Sequence, residues 1–472
     1  MPSRSRPAPT GSKRVLFVLT LAAFMASLDV FIVNVAFDAI GADFHGSSLA
    51  DLSWVLNAYA IVFAALLVPA GRFSDRYGRK RAFMLGLAVF TVASIGCALS
   101  GGVWVLVGFR VLQAVGAAVL TPASLGLVIA AAPPEKRTTW VRIWAAAGAV
   151  AAAFGPAVGG VLVDVSWHWV FLVNVPVGVL ALLGSWLWVQ ESRDTSADRN
   201  PDLLGAALLV IAIGALSLGI VEGPSWGWSS SRVEAAWVVA ALATGGFVAS
   251  SARHPVPVVS RELLRVRPFA WANLTALLFA VPFAAALLAN ILWMQTVWHY
   301  SAIRTGFGVA PGPLIVPLFA FLSARFLHRV PVGVIVSAGC VLFGAGGLVI
   351  AASVGASPDY AGAILPGWLI GGAGVGLALP NILSAGTADL PASQGATGSA
   401  IVNMSRQIGT ALGVSILIAV LGSPSTYDQA HASFQHAWWL FAGIAALGAA
   451  SAPFMTPHAH RAASPRVAAA DI

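Results

Sequence analysis

One acid, Asp29, stands inside the apolar run LDVFIVNVAF, and an arginine and a glutamine, Arg110 and Gln113, stand inside another, RVLQAVGAA. A carboxylate in such surroundings has two uses. It can pair with a buried cation, or it can take up and release a proton. Within a bilayer an acid at mid-depth costs roughly 3 kcal/mol on insertion scales, so it faces a cavity or a partner and marks a functional site. Arg110 is the expected partner. Gln113, three residues on, shares its helix face. Asn34 is a further polar candidate near Asp29, and Gln295, Arg406 and Gln407 are the polar residues of later apolar runs. These four and Gln113 are candidate cavity contacts, although Arg406 is also placed where a long side chain would snorkel to the interface.

Other chemistries fail on context. Gly223-Pro224-Ser225-Trp226-Gly227 has the spacing of a nucleophile elbow, but that motif needs a strand before the serine and a helix after it. The flanking sequence here is an apolar helix and a polar turn. No G-x-x-x-x-G-K-[ST] phosphate loop occurs. None of the nine His has metal-ligand spacing with a second ligand, and Cys97 and Cys340 are the only cysteines. The expectation is therefore no enzyme, no metal and no cofactor.

The elements that must position these residues are set by composition. Of 472 residues 58% are hydrophobic and 9% charged, against roughly 25% charged in soluble domains. A spanning helix takes roughly 20 apolar residues, and fourteen such runs fit. The expected fold class is all-α, a polytopic membrane protein. Residues 1–14 are expected as an N-terminal tail, 15–189 as one six-helix bundle, 190–270 as a linker holding two extra spans, 271–454 as a second six-helix bundle and 455–472 as a C-terminal tail. The first run, near 15–37, is too long for a signal-peptide core and is read as an uncleaved helix.

The net charge is +8, from 26 Lys and Arg against 18 Asp and Glu. Arg232 and Arg304 fall in gaps on one side, Arg110 and Arg406 inside runs, and the other cations in gaps on the opposite side. This is the positive-inside bias; it places both termini in the cytoplasm and assigns the basic charge to topology rather than to nucleic acid. Counting about 1.5 Å per residue through a core about 30 Å thick, Asp29 lies about 9 Å and Arg110 about 10 Å below the outer face. The depths agree, and a purely structural ion pair is the competing reading.

Between the second and third runs lies GRFSDRYGRKR, expected as a short loop. Its Gly71, Asp75, Arg76, Gly78, Arg79 and Lys80 match G-x-x-x-D-R-x-G-R-K at every position, so the chain resembles the major facilitator superfamily. That resemblance implies a gate in which Asp75 and Arg76 lock the two halves in the outward-facing state. A weak repeat at an offset of roughly 250 residues, LSARFLHRVPVG, has lost the acid. Such internal symmetry is typical of secondary transporters.

The segments around Asp29 and Arg110, together with GPAVGG and WHWVFLVNVPVG, resemble the fourteen-helix drug:proton antiporters. In GPAVGG, Gly155 and Gly159 share a helix face and admit a neighbouring backbone, while Pro156 removes a backbone bond. With Gly160 they are expected to form a bending seam between the halves. The resemblance implies export of an amphipathic drug or antibiotic in exchange for protons across the cytoplasmic membrane, by a chain that works as a monomer. An uptake symporter of the same fold and a non-transporting receptor or scaffold are the alternatives. Phe31 stands where these antiporters usually have Thr, and Asp38 where Pro is usual. The second half has no deep carboxylate, which disfavours a strongly dicationic substrate.

Overall fold

The computed structural model describes residues 13–193, 200–391 and 394–457. Most of the two expected tails lies outside these residues. Among the described residues there is no strand. Fourteen helices are long and apolar enough to cross a membrane: α1 (Lys13–Ile32), α2 (Leu49–Tyr77), α3 (Arg79–Ala98), α4 (Val103–Ala131), α5 (Pro134–Val165), α6 (Trp169–Trp188), α7 (Leu203–Trp226), α8 (Ser231–Arg253), α9 (Arg267–Val297), α10 (Ala302–Phe326), α11 (Val332–Ser353), α12 (Tyr360–Ala388), α13 (Gly395–Leu421) and α14 (Tyr427–Met455). Helix is the form that satisfies every backbone N–H and C=O without water.

Two boundaries that bear on the site differ from expectation. The first span stops at Ile32, residues 33–36 form a turn, and a short helix, Phe37–Asp43, follows. The presumed loop after the second span is largely helical, because α2 runs on to Tyr77 and α3 starts at Arg79. Gly78 alone breaks the path, at φ +114°, a conformation open to glycine at no steric cost. At the other end of α2 a capping box operates: the Ser48 hydroxyl accepts from Asp51 N–H while the Asp51 carboxylate accepts from Ser48 N–H.

Helices α1 to α6 pack among themselves, as do α9 to α14, and the two groups meet where α2 packs on α13 and α5 on α10. These two pairings exchange under the repeat, which maps α2 onto α10 and α5 onto α13. The extra helix α7 packs on both α2 and α13, with α8 outside it. The meeting place is biased toward one end. Calling the end with Arg72 to Arg81 the basic end, the inter-half contacts gather at the far end. Asn57 donates to Ser415 Oγ at 3.1 Å, and Gln295, in a π-helical turn closing α9, donates to the Val35 carbonyl at 3.1 Å. Gly160 lies directly on the Ala302 carbonyl, and Gly306 on that of Pro156.

Candidate functional site

Asp29 is three residues from the far end of α1, and Arg110 is seven residues into α4 from the same end, so helix lengths alone bring them level. Arg110 Nη1 donates to Asp29 Oδ2 at 2.5 Å, and neither residue is more than 1% exposed. Three further helices complete the surroundings. Gln113 Nε2 and Asn174 Nδ2, the latter from α6, donate to Asp29 Oδ1 at 2.8 and 2.9 Å. Both amides also reach Ser94 Oγ on α3, at 2.8 and 3.4 Å. Arg110 gives Nη1 also to Gln113 Oε1 at 2.6 Å and Nε to the Val55 carbonyl of α2 at 3.1 Å, and its guanidinium lies 4.2 Å from the Tyr59 ring centre.

The acid thus accepts three hydrogen bonds, one of them charge-assisted from a cation. Removing one partner of a buried ion pair costs about 3–5 kcal/mol, since it strands the other charge. The cluster is closed to solvent in this conformation.

The other candidates are placed differently. Asn34 spends its amide on the turn ending its own helix, donating to Val30 and Phe31 carbonyls at 3.0 and 3.3 Å; it does not join Asp29. Gln295 bridges the halves. Gln407 is buried beside Arg406. Among the described residues Arg406 is the one Asp, Glu, Lys or Arg in the interior of a span from α9 to α14. It lines a cavity of about 240 Å³ between α9, α12 and α13, toward their basic ends, with Ala276, Leu379, Ile382, Val402 and Asn403. From Gly395 to Arg406 is eleven residues, about 16 Å of helix, which puts the side chain at the middle of α13 rather than within snorkelling reach of its end.

The repeat-related position to the Asp29 cluster, among α9, α11, α12 and α14, holds a cavity of about 20 Å³ lined by Asn290, Trp368 and Trp438. The contact of Gly86 with Gly116 recurs as that of Gly339 with Gly374, a register that puts Trp368 at the place corresponding to Arg110, so the second half lacks the charge pair.

The seam residues divide their contacts. Gly155 and Gly159 take α1, where an added Cβ would stand 2.8 Å from Phe31 Cβ and 2.9 Å from the Ile32 carbonyl. Gly160 takes α10, which makes it, with the Pro156 carbonyl, the part that touches the other half. At the basic end, Gly71 packs on Pro122 of α4, and Asp75 pairs with Arg79 Nη2 at 2.8 Å within its own half. Arg76 Nη1 donates to Asn200 Oδ1 at 2.7 Å, and Lys80 Nζ to the Trp186 carbonyl at 3.2 Å.

Sequence reasoning missed Ser94, Asn174 and Glu191. The Glu191 carboxylate caps α3 from a distant segment, accepting from the backbone N–H groups of Lys80 and Arg81 at 2.9 and 3.3 Å. It also fills the space a Cβ on Gly78 would need. Ser192 adds its carbonyl to Arg79 N–H at 2.8 Å. The signal was an acid and a serine directly after an apolar run; nothing in the sequence said which helix start they cap.

Among the described residues no group of His, Cys, Asp and Glu has the spacing to hold a metal.

A family model of the Major Facilitator Superfamily matches residues 19–414. The chain is 32% identical over 432 residues to the tetracenomycin C resistance and export protein of Streptomyces glaucescens, covering 89% of this chain and 77% of that one. It is 30% identical over 429 residues to a methylenomycin A resistance protein of Streptomyces coelicolor, covering 90% and 88%. A multidrug resistance protein, Stp, of Mycobacterium tuberculosis is 32% identical over 411 residues, covering 86% and 75%. Among solved structures, the POT family transporter PepTSo superposes with a TM-score of 0.69 over 95% of this chain and 99% of that one at 15% identity. A D-xylose-proton symporter does so with 0.67 over 94% and 98% at 14% identity; at such identities the likeness is one of fold. A profile match across most of the length, two helical bundles related by a repeat and fourteen spans agree: the chain belongs to the major facilitator superfamily, as a multi-pass membrane transporter of small molecules rather than an enzyme.

Proposed function

We propose that the chain exports an amphipathic small molecule, a drug or antibiotic, in exchange for protons by alternating access. The observation that carries this is the ion pair of Asp29 and Arg110, closed off inside the first bundle and tied by hydrogen bonds to three of its helices. The names of the relatives, one an export protein and others resistance proteins, support the direction and the class of cargo. Basic charge at the ends of alternate helices supports placing that end and both termini in the cytoplasm of a cell whose cytoplasmic membrane holds the chain. With that orientation, contact of the halves at the far end makes this the inward-facing state. The transporter works as a monomer with the bilayer as its surroundings.

In the proposed cycle, protonation of Asp29 removes the charge that holds Arg110, Gln113 and Asn174 in place. The α1, α4 and α6 contacts then loosen, and the balance between the two facings changes. Substrate and proton use the passage alternately. Asp75 and Arg76 are held within the first half and its following segment here, which supports a role for Gly71, Asp75, Arg76, Gly78, Arg79 and Lys80 in locking the opposite, outward-facing state. A proton moving through about 100–150 mV yields about 2.3–3.5 kcal/mol, enough to hold a neutral solute at a gradient of tens to hundreds-fold. One carboxylate suffices.

The test is substrate-induced loss of a preset pH gradient in inside-out vesicles, using the compound that best separates cells with and without the gene in a susceptibility panel. The native chain dissipates the gradient and Asp29→Asn does not. Dissipation unchanged in Asp29→Asn would remove this residue from the coupling, and uptake in place of expulsion would make the chain a symporter.

A further inference from the structure

Among the described residues Arg406 has no counter-charge. Its Nε is buried without a partner, and no ion pair reaches its guanidinium among the described residues. The cavity beside it has no carboxylate in its lining. The acids of the second half, Asp359, Asp389 and Asp428, all stand at helix ends, whereas Arg406 stands at the middle of α13. A cation at mid-depth of a span that faces a cavity rather than a partner marks a functional site, and the charge it suits is an anion. Guanidinium is also the side chain whose planar fork suits carboxylate or sulfonate oxygens.

We infer that the transported molecule is an amphipathic organic anion, whose carboxylate, sulfonate or phenolate oxygen binds Arg406 while its ring system lies on Leu379, Ile382 and Val402. This deepens the efflux reading above and rests on it for the word transported. The neighbouring amide sets orientation. Asn403 lies three residues before Arg406 on the same helix face and gives its Nδ2 to the Ser399 carbonyl at 3.0 Å, so its Oδ1 is the atom free to accept a hydroxyl of the ligand. Division of labour between the halves follows. The first half holds an acid already paired and serves the proton; the second holds an unpaired base and serves the cargo.

Two probes with one skeleton separate charge from greasiness: 8-anilinonaphthalene-1-sulfonate and the neutral N-phenyl-1-naphthylamine. Binding is measured by equilibrium dialysis against the full chain in lipid nanodiscs, with protein-free nanodiscs subtracted. A hydrogen bond to a charged group contributes enough to change affinity by about ten- to a hundredfold, so the sulfonate is expected to bind at least about tenfold tighter than the neutral probe. Arg406→Gln is expected to abolish that preference, leaving the neutral probe's Kd unchanged, which also reports that the variant is folded. Arg406→Lys keeps part of the preference. Equal binding of both probes to the native chain, or a preference that survives Arg406→Gln, overturns the inference. Sulfonate binding that depends on Arg406 without any pH-gradient loss when the sulfonate is added to inside-out vesicles would leave the anion site standing and overturn its place in transport.

Discussion

The far-end seam offers the sharpest perturbation, because a single methyl group acts on one of the two conformations. Alanine at position 160 would put a Cβ against the Ala302 carbonyl and 2.9 Å from Ile303 Cα. Carbon atoms in contact prefer about 3.5–4.0 Å, so α5 and α10 must part by about 0.6–1.1 Å. Overpacking of this kind costs about 1–3 kcal/mol, borne only while the far end is closed, and shifts the balance toward the far-end-open state by about 5- to 150-fold. Gly306→Ala, which meets the Pro156 carbonyl from the other side, acts the same way. Gly214→Ala in α7, where a methyl meets nothing within 4 Å, controls for the gain in helix propensity. The assay is a spin-label distance measurement between exposed far-end positions, Leu99→Cys and Ser357→Cys; the native cysteines are buried. Gly160→Ala is expected to enrich the long-distance population and slow export by a similar factor, with Gly214→Ala unchanged. A distance distribution identical to that of the native chain, in a variant that elutes as folded protein, would refute the reasoning that closure depends on these glycines.

The charge cluster and the basic end give three more expectations. Arg110→Gln strands Asp29 and is expected to lower stability by about 3–5 kcal/mol, whereas adding Asp29→Asn to it recovers most of that loss; denaturation of the three variants in one detergent reads the cycle, and equal stability of the single and double variants counts against a coupled pair. Asn174→Leu removes one of the donors to Asp29 and is expected to cost about 1.5–3 kcal/mol, the range for bonds to charged groups, seen as earlier thermal denaturation. Glu191→Ala strips the cap from α3, a loss of about 0.5–2 kcal/mol by analogy with N-caps, and is expected to raise protease cleavage in the segment after α6; cleavage at the native rate would mean that the cap does not hold that segment.

Some of this was legible in the residues and some was not, for reasons of geometry. A membrane gives every span the same length and the same two ends, so depth can be counted along the chain. That is why Asp29 and Arg110, 81 positions apart, could be matched in advance. Counting depth says nothing about azimuth. Asn34 is near Asp29 in sequence, yet the helix ends at Ile32 and its amide turns back on Val30 and Phe31. Asn174 and Ser94 share the right depth, but a lone polar side chain in a span reads equally well as one bonded to its own helix, as Ser94 Oγ also is to the Phe90 carbonyl. The basic segment looked like a loop because glycine and charge were read as breakers. In fact Glu191 supplies the cap that lets α3 begin directly after Gly78, and a cap delivered from more than a hundred residues away leaves no local trace. For the seam, the spacing of Gly155 and Gly159 announced close packing; that they face α1 while Gly160 faces α10 depends on how α5 is rotated.

The position of α7 bears on how a greasy molecule reaches the passage. Ala206, Leu209 and Ile213 are buried where α7 lies along α2 and α13, so that flank of the molecule is plugged by protein. On the opposite flank, α5 and α10 turn Phe154, Val161, Leu314, Leu318 and Phe321 outward, with no extra helix over them. Of the two flanks where the halves meet, only that of α5 and α10 lies bare of a further helix among the described residues, and in the proposed efflux cycle a solute dissolved in the bilayer would enter on that side.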